Sequence, residues 1–70
     1  NAIAPGPTAT EATKIQAGDA AKDIVRNSLA IKRMGSVDDM VGACLFLLSD
    51  DASWVTGQIL AVDGGQTFRL

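Results

Sequence analysis

The sequence predicts an α/β fold built on a parallel sheet. Two strand-like stretches bracket the chain. The first is Asn1 to Ala4, cut by Pro5-Gly6, and the second is Gln58-Ile59-Leu60-Ala61-Val62. The second run is apolar at consecutive positions instead of alternating. That pattern suits a strand covered on both faces of a parallel sheet. Helical sequence fills the space between, so the order is strand, helices, helix, strand, which is one crossover unit. Two strands alone would carry raw hydrogen-bonding edges. The chain therefore reads as the last part of a larger α/β fold, opening inside a strand.

Taken in order, Asn1 to Ala4 is a strand end and Pro5-Gly6 is the turn that stops it, since proline donates no N–H and glycine frees the backbone. Thr10 to about Leu29 is helical. Thr10 stands where an N-cap belongs, and Ala12, Ile15, Ala20, Ile24, Val25 and Leu29 give apolar positions. The periodicity is imperfect, and Gly18-Asp19 predicts a break into two short helices. A long, polar, weakly patterned segment of this kind is typical of a mobile lid.

Arg33-Met34-Gly35 is a predicted turn. Ser36 opens the best helix, over 36–49, with Asp39 placed to complete a capping box and Asp38-Asp39 favoured by the helix dipole. Val37, Met40, Val41, Cys44, Leu45 and Leu48 follow the spacing of one buried face, with Phe46 and Leu47 off it. A helix apolar on more than one side needs cover on more than one side. Ser49-Asp50-Asp51 ends it, and Ala52 to Gly57 is a short turn or single helical turn. The final strand covers 58–62. Asp63-Gly64-Gly65 is turn chemistry, and Gln66 to Leu70 is a tail. Trp54 is expected to pack at the turn or at a subunit contact.

Composition removes several function classes. The chain has 70 residues, 47% of them hydrophobic, and a net charge of -2. Its basic residues, Lys14, Lys22, Arg26, Lys32, Arg33 and Arg69, form no stripe, which argues against nucleic-acid binding. The longest apolar run, Ala43 to Leu48, is far too short to span a membrane. Cys44 is the only cysteine, so no internal disulfide forms, in keeping with a reducing, cytoplasmic setting. With no His and no Tyr, histidine-based nucleophilic catalysis and His-ligated zinc are impossible within these residues.

Three blocks then carry a resemblance. Asn1-Ala2-Ile3-Ala4-Pro5-Gly6 is similar to the N-x-(I/V)-x-P-G stretch of the short-chain dehydrogenases/reductases. Arg33-Met34-Gly35 followed by Asp38-Asp39 resembles the start of that family's last large helix. FLLSDDASWVTGQILAVDGG looks like its C-terminal signature, with Asp50, Ser53, Thr56, Gly57, Gln58, Val62, Asp63, Gly64 and Gly65 in place. The blocks match in order and spacing over nearly the whole chain.

The resemblance implies the C-terminal part of a doubly wound parallel-sheet Rossmann fold. It divides the chain into strand end and nicotinamide-side turn (1–6), substrate lid (7–32), last large helix (36–49) and last strand (58–62). It implies an NAD- or NADP-dependent oxidoreductase that moves a hydride between nicotinamide and a carbonyl or secondary alcohol. The glycine-rich dinucleotide loop and the catalytic Ser, Tyr and Lys would belong to a remainder of the polypeptide. No catalytic residue is expected in this chain.

By the same resemblance, Pro5 and Gly6 lie against one face of the nicotinamide. Thr8 offers its backbone to the carboxamide, and Thr10 hydrogen-bonds the carboxamide or a phosphate. Pro7 departs from the apolar residue common at its position. The resemblance also implies a homotetramer in which the final helix and strand meet another subunit. Were the substrate an acyl-carrier protein, Arg26, Lys32 or Arg33 would be its contacts. A different class, a non-catalytic interaction module that kept this sequence, is the rival reading.

Overall fold

The computed structural model describes residues 1–68 and, within the first helix, the backbone alone at 12–18. The side chains of Ala12 and Ile15, given above as apolar positions of the first helix, and Arg69 in the tail lie outside the described residues. Strand β1 (Ala2–Pro5) pairs in parallel with β2 (Ile59–Val62), in the register Ala2↔Ile59 to Pro5↔Val62. The predicted parallel pair is thus present, and both strands end at the same rim. Asn1 sets the opposite end. Its side-chain amide donates to the Val55 carbonyl at 2.9 Å while its Oδ1 accepts from the Gln58 amide at 2.9 Å.

Between the strands run α1 (Glu11–Ser28) and α2 (Val37–Leu48), followed by a short 3-10 turn at Asp50–Ala52. The expected break at Gly18-Asp19 does not occur, and α1 is one helix of 18 residues. A glycine inside a helix costs only about 0.5–1 kcal/mol relative to alanine. The Lys22–Asp19 and Arg26–Asp23 pairs, both three residues apart, and Arg26 in the last turn support the helix beyond it.

The capping box of α2 forms as predicted. The Ser36 hydroxyl accepts from the Asp39 amide at 3.2 Å, and the Asp39 carboxylate accepts from the Ser36 amide at 2.7 Å. The buried face of α2 differs from the expected one. Met40, Ala43, Cys44 and Leu47 are half-buried towards the strands, whereas Val37, Val41, Leu45 and Leu48 are exposed, Leu48 at 85%. The six apolar positions were read as one stripe, but they belong to two adjacent faces, and the sheet takes the one that includes Leu47.

Only Leu29 and Ala52 are buried among the described residues, with 3% and 6% of their surface exposed. Ile59 is 76% and Trp54 98% exposed, so β2 is covered on one face only and Trp54 packs against nothing substantial among the described residues. The accessible surface is 5322 Å². A folded monomer of 7.2 kDa should expose about 4,100 Å². The molecule is a slab of 41 × 31 × 15 Å in which α2 is the helix packed on the two strands.

Candidate functional site

The residues singled out by sequence gather at the rim where both strands end. Pro5 is the last residue of β1, and the Gly6 amide continues the ladder by donating to the Val62 carbonyl at 3.0 Å. The Thr8 hydroxyl donates to the Gly6 carbonyl at 2.9 Å, which closes the turn on itself. Thr10 immediately precedes Glu11, the first residue of α1. The structure therefore brings Pro5, Gly6, Thr8 and Thr10 into one short segment between a strand end and a helix start.

The same segment is pinned from outside. Thr8 forms a parallel bridge with Gly35, in which the Gly35 amide donates to the Pro7 carbonyl (2.9 Å) and the Ala9 amide to the Gly35 carbonyl (2.8 Å). The Arg33-Met34-Gly35 stretch was expected to be only a turn. It instead bends at Arg33 and then runs extended at Gly35, because the chain beside it offers backbone partners. Arg33 closes this corner. Its guanidinium donates to both oxygens of Asp39, at 2.7 and 3.1 Å, and to the Met34 carbonyl. The Arg33 hydrogen bonds, together with those from the Ser36 amide and hydroxyl, hold the Asp39 carboxyl well below the usual carboxylate range.

Gly6 has a packing reason to be glycine. A Cβ built on it would lie 2.5 Å from the Asp63 Cβ and 2.6 Å from the Asp63 Cα. The two strand-end turns thus touch with no room for a side chain between them. In the second turn the Asp63 carboxylate accepts from the Gly65 amide (3.0 Å), the Thr67 amide (3.1 Å) and the Thr67 hydroxyl (2.6 Å). The Thr67 hydroxyl and the Gly65 amide lower the Asp63 pKa. Gly64 and Gly65 take positive φ values, 62° and 92°, as the turn requires. This is the structural role expected for Asp63-Gly64-Gly65, but its contacts with Gly6 and residue 30 were not visible in the sequence.

A cavity of about 160 Å³ sits where these segments meet. Pro7, Leu29, Ile31, Met40, Val62 and Gly64 are among its walls. The cations named for an acidic partner are all engaged within the chain. Arg33 holds Asp39, Arg26 holds Asp23, and the Lys32 ammonium donates to the Arg26 carbonyl. Among the described residues no cluster of His, Cys, Asp and Glu could hold a metal. No helix there is long and apolar enough to cross a membrane.

Residues 1–67 match a family model described as enoyl-(acyl carrier protein) reductase. An uncharacterised oxidoreductase of Mycobacterium tuberculosis is 56% identical over 70 residues, covering 99% of this chain and 28% of the relative. The 7α-hydroxysteroid dehydrogenase of Escherichia coli K12 is 43% identical over 70 residues, covering 100% of this chain and 28% of the relative. A crystal structure from Agrobacterium tumefaciens, described as a 2-deoxy-D-gluconate 3-dehydrogenase with bound NADP, superposes with a TM-score of 0.83. It is 42% identical and covers 96% of this chain and 28% of that one.

The class is thus a partial α/β Rossmann fold of the dehydrogenase type. The chain belongs to the short-chain dehydrogenase/reductase family. It spans little more than a quarter of the length of these relatives.

Proposed function

We propose that this chain supplies the nicotinamide-side turn and substrate lid of an NAD(P)-dependent oxidoreductase acting on a small carbonyl compound or secondary alcohol. The observation that carries the reading is the gathering of Pro5, Gly6, Thr8 and Thr10 at the carboxyl rim of a parallel strand pair. Open α/β sheets bind their ligands outside the carboxyl ends of the strands. The E. coli and A. tumefaciens relatives, a hydroxysteroid dehydrogenase and an NADP-bound sugar-acid dehydrogenase, support the same reading.

The residues fit such a cofactor. Pro5 and Gly6 form a turn with little side chain at the rim, able to lie flat against a ring. The Thr8 hydroxyl fixes that turn through the Gly6 carbonyl. Thr10 precedes the positive end of an 18-residue helix, which favours an amide carbonyl or phosphate oxygen there. The nicotinamide, when bound, supplies or accepts the hydride. This chain's task is to orient that ring and to cover the site with α1. The serine, tyrosine and lysine that handle the proton belong to the remainder of the polypeptide. The exposed apolar face of α2, with Trp54 and Ile59, is buried by that remainder and by a second subunit of a homotetramer.

The test uses the full-length protein that contains these residues. Calorimetric titration with NAD⁺ and NADP⁺ should show binding of at least one. The Thr10→Ala variant should bind it more weakly by about three- to tenfold, the loss of one hydrogen bond. Turnover of a panel of secondary alcohols should follow. A folded full-length protein that binds neither nucleotide would leave the non-catalytic interaction module as the surviving reading.

A further inference from the structure

We infer that the 63–67 turn is a positioning device, with Asp63 fixing both the cofactor-side turn and the base of the lid. The inference rests on the proposed function and adds a role for residues that do not themselves touch cofactor. One contact runs to the cofactor side, where the Asp63 Cβ and Cα fill the place a Gly6 side chain would take. The other runs to the lid. The Gly64 carbonyl accepts from the amides of Ala30 and Ile31, both at 2.9 Å, directly after α1 ends. A Cβ on Gly65 would meet the Ala30 Cβ at 2.7 Å. Leu29, exposed by only 3%, is buried beside Gly64.

The lid is therefore held at two points. Its first residues, Pro7 to Ala9, are tied to Gly35, and its last, Leu29 to Ile31, are tied to the 63–65 turn. Both turns at the strand rim press on each other through Gly6 and Asp63. The Asp63 carboxylate keeps its own turn shut through Gly65 and Thr67. Loss of that carboxylate frees the carbonyl of Gly64 and the backbone of Asp63 to move. The consequence is a less ordered cofactor turn and lid base before any ligand arrives, so ordering must occur on binding.

The experiment compares full-length wild type with Asp63→Ala, Asp63→Asn and Thr67→Val. In cofactor-free protein, hydrogen exchange at the amides of Gly6, Ala30 and Ile31 should accelerate in Asp63→Ala. Calorimetry should show the dissociation constant for the preferred nucleotide rising about three- to tenfold, with KM for that nucleotide rising and kcat little changed. Asp63→Asn keeps one acceptor oxygen but turns an NH2 group towards either the Gly65 amide or the Thr67 pair, so it should restore only part of both readouts. Thr67→Val, which loses only the hydroxyl bond and keeps both backbone bonds to Asp63, should show the smallest change of the three, still measurable in the exchange at Ala30 and Ile31.

A variant that melts earlier but exchanges and binds as wild type does would overturn the inference. If Asp63→Ala does not fold, Thr67→Val with unchanged exchange at Ala30 and Ile31 overturns it equally. Should wild type bind no nucleotide, the functional reading fails, and the exchange comparison still decides whether the turn holds residues 6 and 30–31.

Discussion

Replacing Gly65 by alanine probes the junction between the last turn and the lid base. Gly65 sits at φ 92°, and an added Cβ would meet the Ala30 Cβ at 2.7 Å. Two costs add. An L-residue held at positive φ costs about 1–2 kcal/mol, and forcing a methyl into occupied space costs about 1–3 kcal/mol more. The total is about 2–5 kcal/mol. Gly57 separates the two, because it has φ 68° with nothing within 4 Å of its added Cβ. Gly57→Ala should therefore cost only the first part, about 1–2 kcal/mol.

The assay is urea unfolding of the full-length protein, followed by circular dichroism. Adding Ala30→Gly to Gly65→Ala should recover about 1–3 kcal/mol of coupling, the clash alone. Equal losses for Gly65→Ala and Gly57→Ala, or a double variant that recovers nothing, would refute the packing reasoning.

Other perturbations have equally definite outcomes. Ser36→Ala removes the acceptor of the α2 capping box and should lower unfolding free energy by about 1 kcal/mol, read by the same urea titration. Leu29→Ala empties the most buried side-chain position among the described residues and should cost about 2–5 kcal/mol, with faster exchange at Ala30 and Ile31 in the cofactor-free protein. Asp39 and Asp63 both have pKa values lowered on folding. Their stabilising contribution is complete above the unfolded value near about pH 4 and is lost as pH falls through the folded values. The melting temperature should drop on acidification below about pH 4, and Asp39→Asn should flatten that limb. Residues 1–70 expressed alone should show no cooperative melt, since Leu48, Trp54 and Ile59 stay exposed and only two of the described residues are buried; a sharp monomeric transition would count against the need for the rest of the enzyme.

What the sequence made legible was local. Ser36 with Asp39 announced the start of α2, because a capping box is a four-residue pattern. The apolar run 59–62 announced a parallel-sheet strand, and Asp63-Gly64-Gly65 a turn whose φ values only glycine takes easily. Distant contacts left no such mark. Gly6 and Asp63 lie at opposite ends of the chain, so the reason for glycine at position 6 appears only when the strand ends meet. Gly35 read as a turn because its bridge partner is the segment around Thr8. The α2 stripe misled for a related cause. Apolar residues on adjacent faces merge into one pattern when each face awaits a different cover, the sheet on one and the remainder of the protein on the other. Gly18 read as a break because it weakens a helix, yet that weakening is only about 0.5–1 kcal/mol and α1 runs through it.

The most direct test of the account is a crystal structure of the full-length protein soaked with NAD⁺ or NADP⁺. The nicotinamide ring should lie against Pro5-Gly6, with its carboxamide within hydrogen-bonding distance of the 8–10 segment and α1 over it. A nucleotide bound away from residues 5–10 in a folded protein would contradict it.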